Sequence, residues 1–137
     1  MLNHNIKKEY PPNYQLLVDT FNPPSTTVFV YGDTIYNPSG DKIPPDVVVH
    51  EEVHMRQQRE YASPDMWYAL YIHDKDFRLT QEVEAYAVQY QFLKRNGLPA
   101  NGLKEALHEF ARALANDYKT GIDTYKAKTL IRYRSMV

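Results

Sequence analysis

Two histidines four residues apart, with a glutamate directly after the first, form the string His50-Glu51-Glu52-Val53-His54. On a helix, positions four apart differ by roughly 40° in direction and roughly 6 Å along the axis, so both imidazoles can converge on one cation. Glu51 is turned by roughly 100° from His50, which sets it beside the ion's remaining coordination position as a general base. Glu52 has no route to the metal and is given no role. The chain contains no cysteine, so thiolate ligands, disulfides and cysteine nucleophiles are excluded together. Imidazole and oxygen donors remain, and with this spacing they point to Zn2+. A catalytic zinc takes three protein ligands and keeps its fourth position for water, so a third ligand must come from another segment. The candidates are Glu82 and Glu84, then His73 and His108.

The elements that would position these residues are legible in outline. Pro44-Pro45-Asp46 suits the first turn of a helix, which needs no N–H there and favours a carboxylate, and that helix is predicted to run to about Tyr61. Val47, Val49 and Val53 would supply its apolar seat. Ser63-Pro64-Asp65 starts a short aromatic helix through Ile72, ended by the run 73–76. A longer helix is predicted over 77–96, closed by Gly97 as a left-handed residue with Pro99 beyond. It carries both glutamates. Asn101 is read as the cap of a further helix whose Leu103, Leu107, Phe110 and Leu114 share one face. Upstream, residues 26–31 are β-branched and aromatic, Gly32-Asp33 is a turn signal, and residues 34–37 run back as a β-hairpin. A short helix starting at Pro12 collects Tyr14, Leu16, Leu17, Val18 and Phe21. In the tail, apolar and basic residues alternate as in a strand, yet Ala127, Leu130 and Ile131 also fit a helix, which is preferred.

His50-Glu51-Glu52-Val53-His54 followed by Glu82-Val83-Glu84-Ala85 on a later helix resembles the glutamate-type zincin metallopeptidases, the gluzincins, whose second element is E-x-x-A. The resemblance covers residues 26–93 and implies Glu82 as third ligand; taking Glu84 instead would put Ala87 at the alanine position, so Glu84 stays the alternative. In several such families an aspartate follows that alanine and supports a histidine, whereas Tyr86 stands there in this chain. A looser similarity, through residues 34–58 and 81–92, is to small uncharacterised bacteriophage and bacterial proteins. The expected fold is α+β, mostly helical: a minimal zincin-like domain in which a small N-terminal hairpin packs on the HExxH helix and a following helix brings the third ligand. The resemblance also implies that the strand over 26–31 lies beside the cleft, where an extended peptide could add as another strand. The activity implied is peptide-bond hydrolysis, with Glu51 moving the proton.

Other residues are weighed against simpler roles. His73, at the end of the aromatic helix, is a candidate donor to an oxyanion, and Tyr86 a candidate to face the metal. Gln57, Gln58 and Arg78 could tie down a ligand, with structural packing the preferred reading for each. His4 and His108 are read as surface residues, and most of the 12 tyrosines as core packing.

At 137 residues, with 43% hydrophobic and 24% charged side chains, the chain suits a single domain over 1–137, with a Pro-rich arm at 1–24 and a basic tail at 122–137. No apolar run is long enough to span a membrane, and residues 1–10 lack the apolar stretch of a secretory signal, so a cytoplasmic location is expected. With 16 basic against 17 acidic side chains, no overall field favours nucleic acid. The expected partner is a peptide or protein substrate. Two rivals remain: a zinc-stabilised binding or regulatory module without efficient catalysis, and a nucleic-acid or partner-binding role for Lys126, Lys128, Arg132 and Arg134.

Overall fold

The computed structural model describes residues 5–137; His4 lies outside the described residues. Among these, the elements run β1 (Asn5–Lys7), α1 (Tyr14–Phe21), β2 (Phe29–Tyr31), β3 (Thr34–Tyr36), α2 (Pro45–Arg59), α3 (Pro64–His73), α4 (Lys75–Arg95), α5 (Ala100–Asn116) and α6 (Thr124–Ser135). The fold is α+β and mostly helical. No helix among the described residues is long and apolar enough to cross a membrane.

The hairpin forms as its turn signal requires: Gly32 takes φ 63°, a left-handed conformation open to glycine, and Val30 pairs with Ile35 across the strands. The N-terminal arm adds a strand that the sequence pattern did not show. β1 pairs parallel with β3, Ile6 against Ile35, giving the order β1-β3-β2. The arm is therefore built into the fold from residue 5 onward, and α1, starting at Tyr14 instead of Pro12, packs Leu17 into an aromatic cluster with Phe29, Trp67, Tyr68 and Tyr71.

Helix α2 lies over the sheet through Val48 and Met55, which pack against Val30 and Ile35. Of the three valines expected to seat it, Val53 is fully buried, but Val47 and Val49 are only half-buried, because Val48 is the residue facing the sheet. The hairpin turn is pinned to the same helix, its Gly32 N–H donating to Gln58 Oε1 at 2.7 Å. Asp74 ends α3 and caps α4 by accepting from the N–H groups of Asp76 and Phe77, so α4 starts two residues earlier than its apolar pattern indicated. At its other end Gly97 (φ 85°) closes α4, its N–H bonded to Lys94 O and that of Leu98 to Leu93 O, a Schellman arrangement. Asn101 is not a cap: α5 begins at Ala100 after Pro99.

The tail is helix α6. Ala127 and Ile131, one turn apart, are fully buried against Leu107, Ala111 and Leu114 of α5 and Val83 of α4, while Tyr125 and Tyr133 are exposed. Helix α4 thus sits at the centre, between α2 on one side and the α5–α6 pair on the other.

Candidate metal centre

Helix α2 presents His50 and His54 toward α4, which presents Glu82, and all three side chains are buried. His50 Nε2 lies 3.2 Å from His54 Nε2 and 3.2 Å from Glu82 Oε1, and His54 Nε2 lies 3.3 Å from Glu82 Oε1. These spacings fit one ion. A tetrahedral zinc with bonds of about 2.0–2.1 Å needs donor atoms about 3.3–3.4 Å apart.

Hydrogen bonding fixes which ring atoms carry protons. His50 Nδ1 lies 2.9 Å from Gln89 Oε1, and His54 Nδ1 lies 2.8 Å from Gln57 Oε1. Neither amide is free to turn over. Gln89 Nε2 donates to Asp46 Oδ2 at 2.8 Å, and Gln57 Nε2 donates to Gln81 O at 3.0 Å and Glu84 Oε1 at 2.8 Å. The amide oxygens therefore accept, both Nδ1 atoms are N–H donors, and both Nε2 atoms of the neutral rings offer lone pairs. Two lone pairs and a carboxylate oxygen converge with no proton between them, an arrangement that a cation satisfies.

Without a cation, protons must do the same work. Burial by itself lowers the His54 pKa, but the charge and hydrogen bond of Glu82 outweigh it and raise it from 6.5 to about 9. For Glu82 burial acts upward, yet the charge of His54 and hydrogen bonds from both imidazoles hold it well below the usual carboxylate range. The second oxygen of Glu82 is also taken, accepting from Tyr71 Oη at 2.5 Å. Aromatic rings brace the imidazoles: Tyr86 packs on His50 at 4.5 Å and Trp67 on His54 at 5.5 Å between centroids.

Glu51 is buried at the floor of the same cleft, where desolvation raises its pKa against the lowering charges of His50 and His54. The cleft has a volume of about 440 Å³. Its floor holds His50, Glu51, His54 and Glu82; α1 and Pro23-Pro24 form one wall, residues 27–30 another, and residues 116–119 the rim.

Several expectations from sequence are corrected in placement. Glu84 is not near the histidine pair; its carboxylate accepts from Gln57 and, at 3.0 Å, from Arg134 of α6. His73 is exposed at the end of α3 and does not line the cleft, so it has no geometry for an oxyanion donor. Tyr86 turns its ring to His50 and its hydroxyl to that of Tyr118, 3.2 Å away; Tyr118, not Tyr86, lines the cleft. Gln57 does hold a candidate ligand, whereas Gln58 secures the hairpin. Arg78 touches no ligand. Buried without a carboxylate, it donates to the carbonyls of Tyr71, Ile72, Tyr118 and Lys119, anchoring the two segments that carry Tyr71 and Tyr118. His108 is exposed, as expected.

The strand beside the cleft is also less open than the resemblance implies. Phe29 and Val30 line the cleft, but the Val30 carbonyl already accepts from Tyr68 Oη and from Gln58 Nε2. An added peptide strand finds that acceptor occupied. In the basic tail, Ala127 and Ile131 lie in the core and Arg134 pairs with Glu84, while Lys126 and Arg132 are exposed.

Sequence reasoning missed Gln89 and Tyr118, and Tyr71, read there as core packing, is the tyrosine that reaches Glu82. Gln89 is 39 residues from His50, and nothing local marks it. Comparison with known proteins gives no match: no family model, no curated protein and no solved structure aligns with the chain.

Proposed function

We propose that this chain is a zinc-dependent hydrolase acting on peptide bonds, with His50, His54 and Glu82 as metal ligands and Glu51 as general base. The observation that carries it is the convergence of two imidazole Nε2 atoms and a carboxylate oxygen, 3.2–3.3 Å apart, in the lining of a cleft. A structural zinc site is closed by four protein ligands, and here three converge where a cleft leaves room for a fourth donor from solvent or substrate.

Zinc in this site would supply the Lewis acidity that polarises a substrate carbonyl and makes water nucleophilic near neutral pH. Glu51 takes the proton of the attacking water on its carboxylate and returns it to the leaving nitrogen. Its burial suits the first of these steps, since desolvation favours the neutral form and makes the carboxylate a stronger base. Tyr71, donating to Glu82, keeps that carboxylate's second oxygen oriented. The aromatic walls, Phe29, Trp67 and Tyr68 among them, would exclude water and take an apolar side chain.

The burial of all three donors between α2 and α4 also favours a second reading, a module in which zinc only clamps the two helices. Glu51→Gln separates the two. Incubated with zinc and a fluorogenic peptide library, the wild-type chain is expected to cleave and the variant to bind zinc without cleaving. Cleavage by neither protein favours the module, and equal cleavage by both removes Glu51 from the mechanism.

A further inference from the structure

Beyond the ligands, the polar side chains between α2 and α4 repeat one chemical sequence twice. From His50, an imidazole N–H meets the Gln89 carbonyl at 2.9 Å, and the Gln89 amide donates to Asp46 at 2.8 Å. From His54, the imidazole N–H meets the Gln57 carbonyl at 2.8 Å, and the Gln57 amide donates to Glu84 at 2.8 Å. The routes differ: the first crosses to α4 and returns to α2, while the second stays on α2 before crossing to α4. Shared chemistry on two unrelated paths is not what packing alone produces.

We propose that these two relays, His50–Gln89–Asp46 and His54–Gln57–Glu84, are the metal-tuning apparatus of the site, with Gln57, Gln89, Asp46 and Glu84 as positioning residues. The proposal rests on the zinc-site reading above. An amide carbonyl accepts a hydrogen bond but does not take the proton, so each ring stays neutral with its Nε2 lone pair directed at the metal position. A carboxylate placed directly on Nδ1 would draw that proton and add negative charge to the ligand set. Placed one amide away, it polarises the glutamine and strengthens the carbonyl as an acceptor, a cooperative gain of ~10–30% per bond. Both glutamines are buried, at 4% and 7% exposure, where an amide is tolerated only if its groups are satisfied, as these are.

Each relay ends on a carboxylate with a different partner. Asp46 lies in the first turn of α2, where the helix N-terminus favours an anion, and Glu84 pairs with Arg134 at 3.0 Å. Through Glu84 the C-terminal helix α6 is joined to a metal ligand, so the packing of α6 fixes one imidazole in place.

The test is zinc affinity of the full chain, measured against a competing chelator, with thermal unfolding of the metal-free protein alongside. Wild type is expected to bind one zinc, lost in His54→Ala; if wild type binds none, the site reading itself fails and the relays with it. Gln89→Met and Gln57→Met keep the volume and remove the acceptor. Each is expected to weaken zinc binding by ~10–100-fold, with little change in metal-free unfolding. Wild-type affinity in the methionine variants overturns the proposal. Should Gln89→Met not fold, Asp46→Asn alone is read instead: a several-fold weakening supports the relay and an unchanged affinity overturns it.

Discussion

The two faces of helix α4 are built on opposite rules. Toward α5 and α6 it offers Val83 and the ring of Tyr86 to Leu107, Ala111, Leu114, Ala127 and Ile131, a seam that gains stability simply by leaving water. Toward α2 it offers Glu82, Glu84 and Gln89 to His54, Gln57 and His50, a seam where every buried group must find a partner. An apolar seam tolerates variation in identity so long as volume is kept. A polar one does not, because each member's protonation and orientation depend on the next.

The comparison breaks if one seam's substitutions read out in the other's measurement. Glu82→Ala removes one of three donors and is expected to lower zinc affinity by more than the ~10–100-fold typical of an outer partner, read by chelator competition. Leu114→Ala, at a fully buried position of the apolar seam, is expected to cost ~2–5 kcal/mol in chemical denaturation. Its zinc affinity in the folded state should stay within a few-fold of wild type. An equal loss of zinc in both variants would mean that the two faces are one cooperative unit.

Acidity sharpens the same contrast, because only the polar seam titrates. In metal-free protein the folded pKa of His54, about 9, lies above its ordinary 6.5, so its stabilisation is complete below pH 6.5 and lost as pH rises through about 9. Glu51, also raised, adds a loss in the same direction as it ionises in its buried position. Glu82, held below its ordinary range, contributes stability above that range that disappears only in strong acid. The melting temperature of chelator-treated protein is therefore expected to fall between pH 6.5 and 9. Zinc-loaded protein, whose Nε2 atoms carry no proton, should not show that fall. Parallel curves with and without zinc would place these groups outside the metal site. The smallest effect belongs to neither seam: Gly97→Ala forces a side chain into the φ 85° residue that closes α4, expected to cost about 1–2 kcal/mol with zinc binding unchanged.

How far each seam could be foreseen follows from how local its signals are. Leu103, Leu107, Phe110 and Leu114 announce α5 by periodicity, and His50-Glu51-Glu52-Val53-His54 announces a chelating helix by spacing. Both are written within a few turns of one element. Glu82 became the favoured partner through its resemblance to E-x-x-A, and the structure brings that carboxylate, not Glu84, to the histidines. Gln89 and Tyr118 were invisible, and Tyr71 was read only as packing, because a glutamine or tyrosine in a helix or loop looks the same whether it supports a ligand or packs. Strand β1 was missed for a related reason: three exposed residues carry no alternation, and the pairing that makes them a strand lies 29 residues away on β3. His73 illustrates the reverse error, a residue between two site helices in sequence whose side chain the end of α3 turns to solvent.

The most direct measurement is an anomalous-difference map at the zinc absorption edge, from crystals of the wild-type chain grown with zinc. One peak is expected, within about 2.0–2.2 Å of His50 Nε2, His54 Nε2 and a Glu82 carboxylate oxygen. No peak at the pair, or zinc bound elsewhere while those three atoms remain joined by protons, would contradict the account.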